Sequence, residues 1–576
     1  MLPPPLRRRL LKSFLLLGSA LVAHGEPAAP ATASESAAPP SPLPVSIQVD
    51  AAAPLGALRP IWRFFGADEP NYATLPDGQK LLADIGALRP GQTYFRAHNM
   101  LCTGDGTPAL KWGSTNIYTE DAAGNPIYDF TIVDAIFDSY LARGVRPLVQ
   151  LGFMPQALST QGEGPYQHSW RPGLRYKDII TGWAYPPKSY DKWRELAYEW
   201  TRHCVERYGR AEVEQWYFEV WNEPNGDYWK GTPEEFRKLH DYAIDGVRRA
   251  LPTARVGGAH TAGAGGKFHR EFLDHALRGT NFATGQTGTP LDFVAFHAKG
   301  WPTFVDGHVR MGISAQLRGL DEGFSMIASY PELRDRPVII GESDPDGCAA
   351  CQGPQLGYRN GTMYSSYTAA VFARHLDLAD RHKINLEGAV TWAFEFENEP
   401  WFAGFRVLAT NGITLPVFNV FRMFSRMDGQ RLPVVSSGAV PLDELMKDGV
   451  RGAPDVSALA SLDGKKLCVL AWHYHDDDLP GPDAAINLAL SGLPVGAGRA
   501  RVTHYRIDRD HSNAFATWQK QGSPQLPTAE QYASLEVSSQ LQQLVPPALV
   551  PLDDGRLALP LTLPRQAVSL LVIDLP

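Results

Sequence analysis

The feature that most constrains this chain is a count. Between residue 60 and about residue 395, eight β-like runs alternate with stretches of helical periodicity. The runs are Ile61–Asp68, Thr93–Asn99, Arg146–Phe153, Gln215–Glu223, Ala254–His260, Leu291–Ala298, Arg336–Ser343 and Gly388–Phe394. The stretches between them are amphipathic. In Tyr190–Tyr208, for example, Trp193, Leu196, Ala197, Trp200 and Tyr208 recur at helical spacing. Eight strand–helix alternations predict an α/β chain closed into a parallel (β/α)8 TIM barrel over residues 60–429.

Beyond residue 430 the pattern changes. KKLCVLAWHYH, AAINLALSGL, RARVTHYRID and QAVSLLVIDLP read as strands separated by Gly, Pro and Asp turns. They predict a C-terminal antiparallel β-sandwich domain over 430–576, which the early run PVSIQVD, in residues 44–59, is expected to join. Residues 1–25 carry Arg7–Arg9, an apolar stretch near Leu10–Val22 and small residues after it. That is the layout of a signal peptide cleaved near Gly25, and it is too short for a good membrane span. Residues 26–43 are an Ala/Pro/Ser-rich linker by composition. The expected location is therefore periplasmic or extracellular.

A net charge of −8 without a basic run in the body of the chain argues against nucleic acid as a partner. Of five cysteines, Cys348 and Cys351 form a C-x-x-C pair. In an exported chain without four-Cys zinc spacing, this reads as a small disulfide pinning a loop. His473 and His475, in WHYHDDD, read as a solvated strand edge rather than a metal site. No metal and no cofactor is expected.

In a (β/α)8 barrel the chemistry sits where the strands stop. The run ends supply Asp68, His98, Asn99, Asn222, Glu223, His260, His297, Lys299, Glu342 and Trp392. Glu223 ends the fourth run and Glu342 the seventh, so the two lie across the barrel mouth. Hydrolysis of a glycosidic bond needs such a pair: one carboxyl protonates the leaving oxygen, and the other attacks the anomeric carbon or activates water. A lone Glu at a strand end is ordinarily a solvated or capping residue; the pair on opposed strands is what points to catalysis. Asn-Glu-Pro occurs twice, at 222–224 and at 398–400. The first closes the fourth run, where Pro224 stops the strand and the turn presents Glu223. The second falls in the loop after the eighth. Glu219 shares side-chain parity with Glu223, sits deeper, and is expected to pair with a base such as Arg96.

WYFEVWNEPN (Trp216–Asn225) resembles the acid/base strand of glycoside hydrolase family 39, the retaining β-xylosidase and α-L-iduronidase family. WRFFGADEPNY, YFRAHN, RPLVQLGFMP, PPKSYDKW, DFVAFHA, NGITLPVFNVF and HYRIDRDHSNAFATW are similar as well. The resemblance implies Glu223 as general acid/base and Glu342 as nucleophile, acting on an oligosaccharide. It implies that Asn222, His98, His297 and Trp392 line the subsite of the non-reducing sugar. Counting seven or eight residues past Trp392 makes Glu399 the match to a sugar-binding acid, with Glu397 as its substitute. Two departures bear on the sugar. The family's His-Ala-Tyr is His297-Ala298-Lys299 here, so Lys299 enters the subsite and suits a uronic acid carboxylate or a hydroxyl. The loop after Glu342 is SDPDGCAACQG. The reading is a retaining exo-glycosidase of the xylan 1,4-β-xylosidase type. α-L-Arabinosides, α-L-iduronides, exopolysaccharide linkages and a non-catalytic sugar-binding role are the alternatives. The mechanism requires a raised pKa at Glu223 and an ionised Glu342.

Overall fold

Eight parallel strands close into a barrel in the computed structural model, which describes residues 41–576. They are β1 (Phe64–Ala67), β2 (Thr93–Ala97), β3 (Val145–Leu151), β4 (Tyr217–Val220), β5 (Arg255–Thr261), β6 (Phe293–Lys299), β7 (Val338–Asp344) and β8 (Leu386–Trp392). Each of the eight expected runs contains or overlaps one of them, and β8 closes on β1 through Val390 opposite Phe64. The helices that follow β3 and β4 are α1 (Tyr190–Tyr208) and α2 (Pro233–Ala250). Their boundaries are written in the sequence. Ser189 caps α1, and Gly209, at φ 86°, ends it. Thr232 and Glu235 form a capping box ahead of α2, with Pro233 in its first turn.

The barrel interior is layered. Phe64, Tyr94, Leu148, Tyr217, Phe293, Ile339 and Val390 fill one level with apolar side chains. Two residues further along β2 and β4, Arg96 and Glu219 are fully buried and paired at 2.7 Å, as the strand parity predicts. The floor of the barrel is thus greasy and the next layer charged.

The C-terminal region holds two sheets. A seven-stranded sheet is built around 455–463, 466–474 and 568–574, and a four-stranded one around 43–50, 484–491 and 557–563. The sandwich departs from the antiparallel expectation in one pair: residues 43–50 run parallel to 484–491. This strand arrives from the far end of the chain, so no hairpin dictates its direction. Residues 466–474 are buried along nearly their whole length because their two faces serve two cores. Leu467, Val469 and Ala471 pack between the sheets, whereas Cys468, Leu470, Trp472 and Tyr474 pack on the barrel's core. His473 and His475, expected on a solvated edge, are instead buried, because the strand's second face packs too, and they bond to the carbonyls of Leu563 and Gly452. Among the described residues no helix is long and apolar enough to cross a membrane. The expected leader, and all but the last residues of the linker, lie outside the described residues.

Candidate active site

The end of β4 is held under strain. Trp221 and Glu223 both have positive φ, 71° and 42°, although neither is glycine. Such backbone costs on the order of 1–2 kcal/mol per residue and persists only where neighbours enforce it. The neighbours are visible. The Glu223 amide donates to the His260 carbonyl at 2.9 Å. Asn225 exchanges two hydrogen bonds with the backbone of Ala262 in the next loop. The turn therefore projects the Glu223 carboxylate over the barrel mouth.

Across the mouth, β7 delivers Glu342. One carboxylate oxygen of each glutamate and a ring nitrogen of His297 all lie within 4.8 Å of one another. The pairing of β6 with β7 slips a register just before His297, which aims His297 and Lys299 at the two carboxylates. Gly341 is needed beside them. A Cβ there would fall 2.0 Å from Nδ1 of His260 and 3.0 Å from Nε2 of His297.

The two carboxylates have different surroundings. Glu342 is 4% exposed and Glu223 17%. Arg96 reaches Glu342 at 3.3 Å, Asn222 Oδ1 at 2.9 Å and His98 at 3.2 Å. His98 also meets Asp68 at 2.9 Å, and Asp68 accepts from Nε1 of Trp392 at 3.0 Å and pairs with Lys111. Glu223 accepts from Nδ1 of His297 at 2.9 Å. Lys299 ties the pair together, in contact with Glu342 and 3.5 Å from Glu223.

Burial opposes charge on Glu342, but Lys299, His297 and His98 outweigh it and hold the carboxyl well below the usual range. Burial likewise pushes Glu223 up, yet Lys299 and His297 bring it below its ordinary value. The expectation of a raised Glu223 pKa is thus not met. The reason is Lys299, whose ammonium serves both carboxylates; against its own burial it is held above the usual lysine value by Glu342 and Glu223. Asp344, two residues after Glu342 and buried, is pushed up to about 7 by desolvation, only partly offset by Arg406 and Lys299.

A cavity of about 310 Å³ opens over these groups. Asp68, Lys111, Glu223, Asp227, Tyr228, Lys299, Glu342, Trp392 and the loop Gly347–Cys351 line it. In that loop Cys348 and Cys351 are joined by a disulfide with Cα atoms 5.4 Å apart. Of the predicted sugar-binding residues, Lys299 and Trp392 reach the cavity wall. His98, Asn222 and His297 are at most 2% exposed and stand behind it, orienting the carboxylates and Arg96. Glu397 is elsewhere: its carboxylate accepts from the amides of Asp77 and Gly78 and caps the helix Pro76–Leu88. Glu399 lines a separate recess with Phe402 and Thr410. Neither contributes to the cavity, because the chain turns away after Trp392 and Leu408 pairs back on Phe394. Lys111, Tyr228 and Asp344 were not singled out from the sequence. Lys111 meets Asp68 across 43 residues, and no local motif marks it.

A sequence model of the family described as "Glycosyl hydrolases family 39" matches residues 45–550. The chain is similar to a "Beta-xylosidase" of Caldicellulosiruptor saccharolyticus, 26% identical over 439 residues, 72% of this chain and 77% of that protein. It is equally similar to an "Alpha-L-iduronidase" of Mus musculus, 27% identical over 539 residues, 86% of this chain and 75% of that protein. The crystal structure of the GH39 enzyme from Xanthomonas axonopodis pv. citri superposes with a TM-score of 0.70 at 22% identity, covering 94% of this chain and 99% of that one. The fold is shared with it.

Proposed function

The chain belongs to glycosyl hydrolases family 39, and from that premise we propose that it is an exo-acting glycosidase that retains anomeric configuration. The observation that carries this reading is that one carboxylate oxygen of Glu223 and one of Glu342 lie within 4.8 Å of each other. Retaining enzymes hold the two groups about 5–5.5 Å apart, whereas inverting ones leave about 6.5–9.5 Å for a water. In the first step Glu342 attacks the anomeric carbon while Glu223 gives its proton to the departing oxygen. In the second, Glu223 takes a proton from water, which displaces Glu342 and restores both groups. A cavity at the small end of the usual ligand range, about 300–1,000 Å³, favours one terminal sugar over a long chain.

The first substrates to assay are β-D-xylosides. Lys299 favours a second reading, a hexuronide. A substrate carboxylate engaging that ammonium would loosen its hold on Glu223 and raise the acid's pKa upon binding, which a neutral pentose cannot do. Turnover of aryl β-D-xylosides and α-L-iduronides, with the first-formed anomer followed by NMR, separates the readings; inversion would remove Glu342 from the nucleophile's role. Export belongs to the same proposal, supported by the Cys348–Cys351 disulfide. N-terminal sequencing of the mature chain should begin near Glu26, and a retained Met1 would contradict it.

A further inference from the structure

Two residues beyond Lys299 the chain carries Trp301, which is 74% exposed. Its backbone is nevertheless tightly held. The Gly300 amide donates to the Asp344 carbonyl at 2.8 Å. A Cβ on Gly312, in the returning leg, would lie 2.4 Å from the Trp301 carbonyl oxygen. Between these legs runs a hairpin, Thr303–Val305 with His308–Arg310, turned at Asp306-Gly307. Both turn residues have positive φ, as a two-residue type I′ turn requires.

Both legs of the hairpin pack on residues 354–360, and its returning leg is tied further. Arg310 pairs with Asp477 at 2.6 Å, the Met311 amide donates to Asp476, and the Asp478 amide donates to Val309. These contacts anchor the returning leg to the C-terminal region and leave the indole of Trp301 facing solvent. A large apolar ring on a fixed backbone beside a catalytic cavity is not explained by packing.

Its position suggests an occupant. The cavity wall includes Lys299, and a chain of two residues spans at most about 7 Å, so the Trp301 backbone lies close beside the cavity, in the loop that follows β6 at the barrel mouth. A cavity sized for one ring leaves the next sugar outside it. We infer that Trp301 is the platform of a leaving-group subsite, on which the apolar face of the second sugar ring stacks. This rests on the glycosidase reading above. It also accounts for the indole's exposure, since an exo-acting enzyme must release that sugar after every turnover.

The test compares two substrates of one sugar. β-D-Xylosyl fluoride has no ring on its leaving group, and 1,4-β-xylobiose has one; the uronosyl pair replaces them if xylosides are not turned over. In Trp301→Ala, kcat/KM for the disaccharide should fall roughly 3–10-fold, the worth of one aromatic stack. The fluoride should stay within about twofold of wild type, and Trp301→Phe should recover most of the loss. Equal losses on both substrates would show a structural role and overturn the subsite. So would an unchanged disaccharide rate, which would leave the indole to a protein partner or to solvent. Inertness of the wild type toward the fluorides and the disaccharides alike would instead overturn the glycosidase reading, and the subsite with it.

Discussion

The tripeptide Asn-Glu-Pro stands at residues 222–224 and again at 398–400, and the structure uses the two copies in opposite ways. The first sits where β4 stops, in a strained turn that commits its carboxylate to the barrel mouth. The second sits past β8, in a loop whose acids lie away from the cavity. Glu395 is buried with one hydrogen bond, from the Gly412 amide at 2.7 Å. Glu397 caps a helix, and Glu399 lies half-buried in its own recess. What separates the glutamate aimed into the cavity from those turned away from it is therefore its distance from the end of a strand, measured along a backbone whose direction is already fixed.

Substitutions test the contrast. Removing the proposed acid/base by Glu223→Gln should lower kcat on substrates with poor leaving groups by about 10²–10⁴-fold, while Glu399→Gln should leave it within about twofold. Steady-state kinetics on both variants decides, and a comparable loss at Glu399 would break the comparison. Next in size is Lys299→Gln. Loss of the ammonium disfavours the ionised carboxylate, so the alkaline limb of kcat/KM should move to higher pH by about 1–3 units. A limb that stays put would show that Lys299 does not set the acid's pKa.

The second stretch makes its own predictions on stability. Burial pushes the Glu395 carboxyl up to about 8. The folded chain then keeps a proton that the unfolded chain releases near pH 4.3. This group's contribution therefore falls as pH rises from about 4.3 to about 8, and is flat above. Glu395→Gln should reduce the stability lost between pH 5 and pH 8 by on the order of 3–4 kcal/mol, measured by urea melts at the two pH values. The smallest effect belongs to Glu397→Ala. Loss of the cap should cost about 1 kcal/mol in the same melts, with kcat unchanged.

The barrel, its strand count and the two carboxylates were legible because they follow from local patterns: alternation, helical spacing and a proline that stops a strand. Glu397 and Glu399 fall outside the cavity because counting residues past Trp392 cannot see the chain turn back at Phe394. The lowered pKa of Glu223 was illegible for a different reason. It depends on where one flexible lysine side chain comes to rest between two carboxylates, and no spacing encodes that. The Asp68–Lys111 pair joins residues far apart in sequence and leaves no local trace, and the strand at 43–50, though legible as part of the sheet domain, carries no local sign of its parallel direction.

The strand at 466–474 has a consequence for how such a chain can be cut or inherited. Because alternate residues of one strand fill two cores, no boundary exists at which the barrel could be excised with its packing whole. Ending the chain near residue 430 would strip Leu470, Trp472 and Tyr474 from the core that the barrel's helices pack into. The sheet domain is thus a wall of the catalytic unit rather than an attachment to it, and a recombination event that exchanged the sheet would have to exchange the surface of the barrel as well.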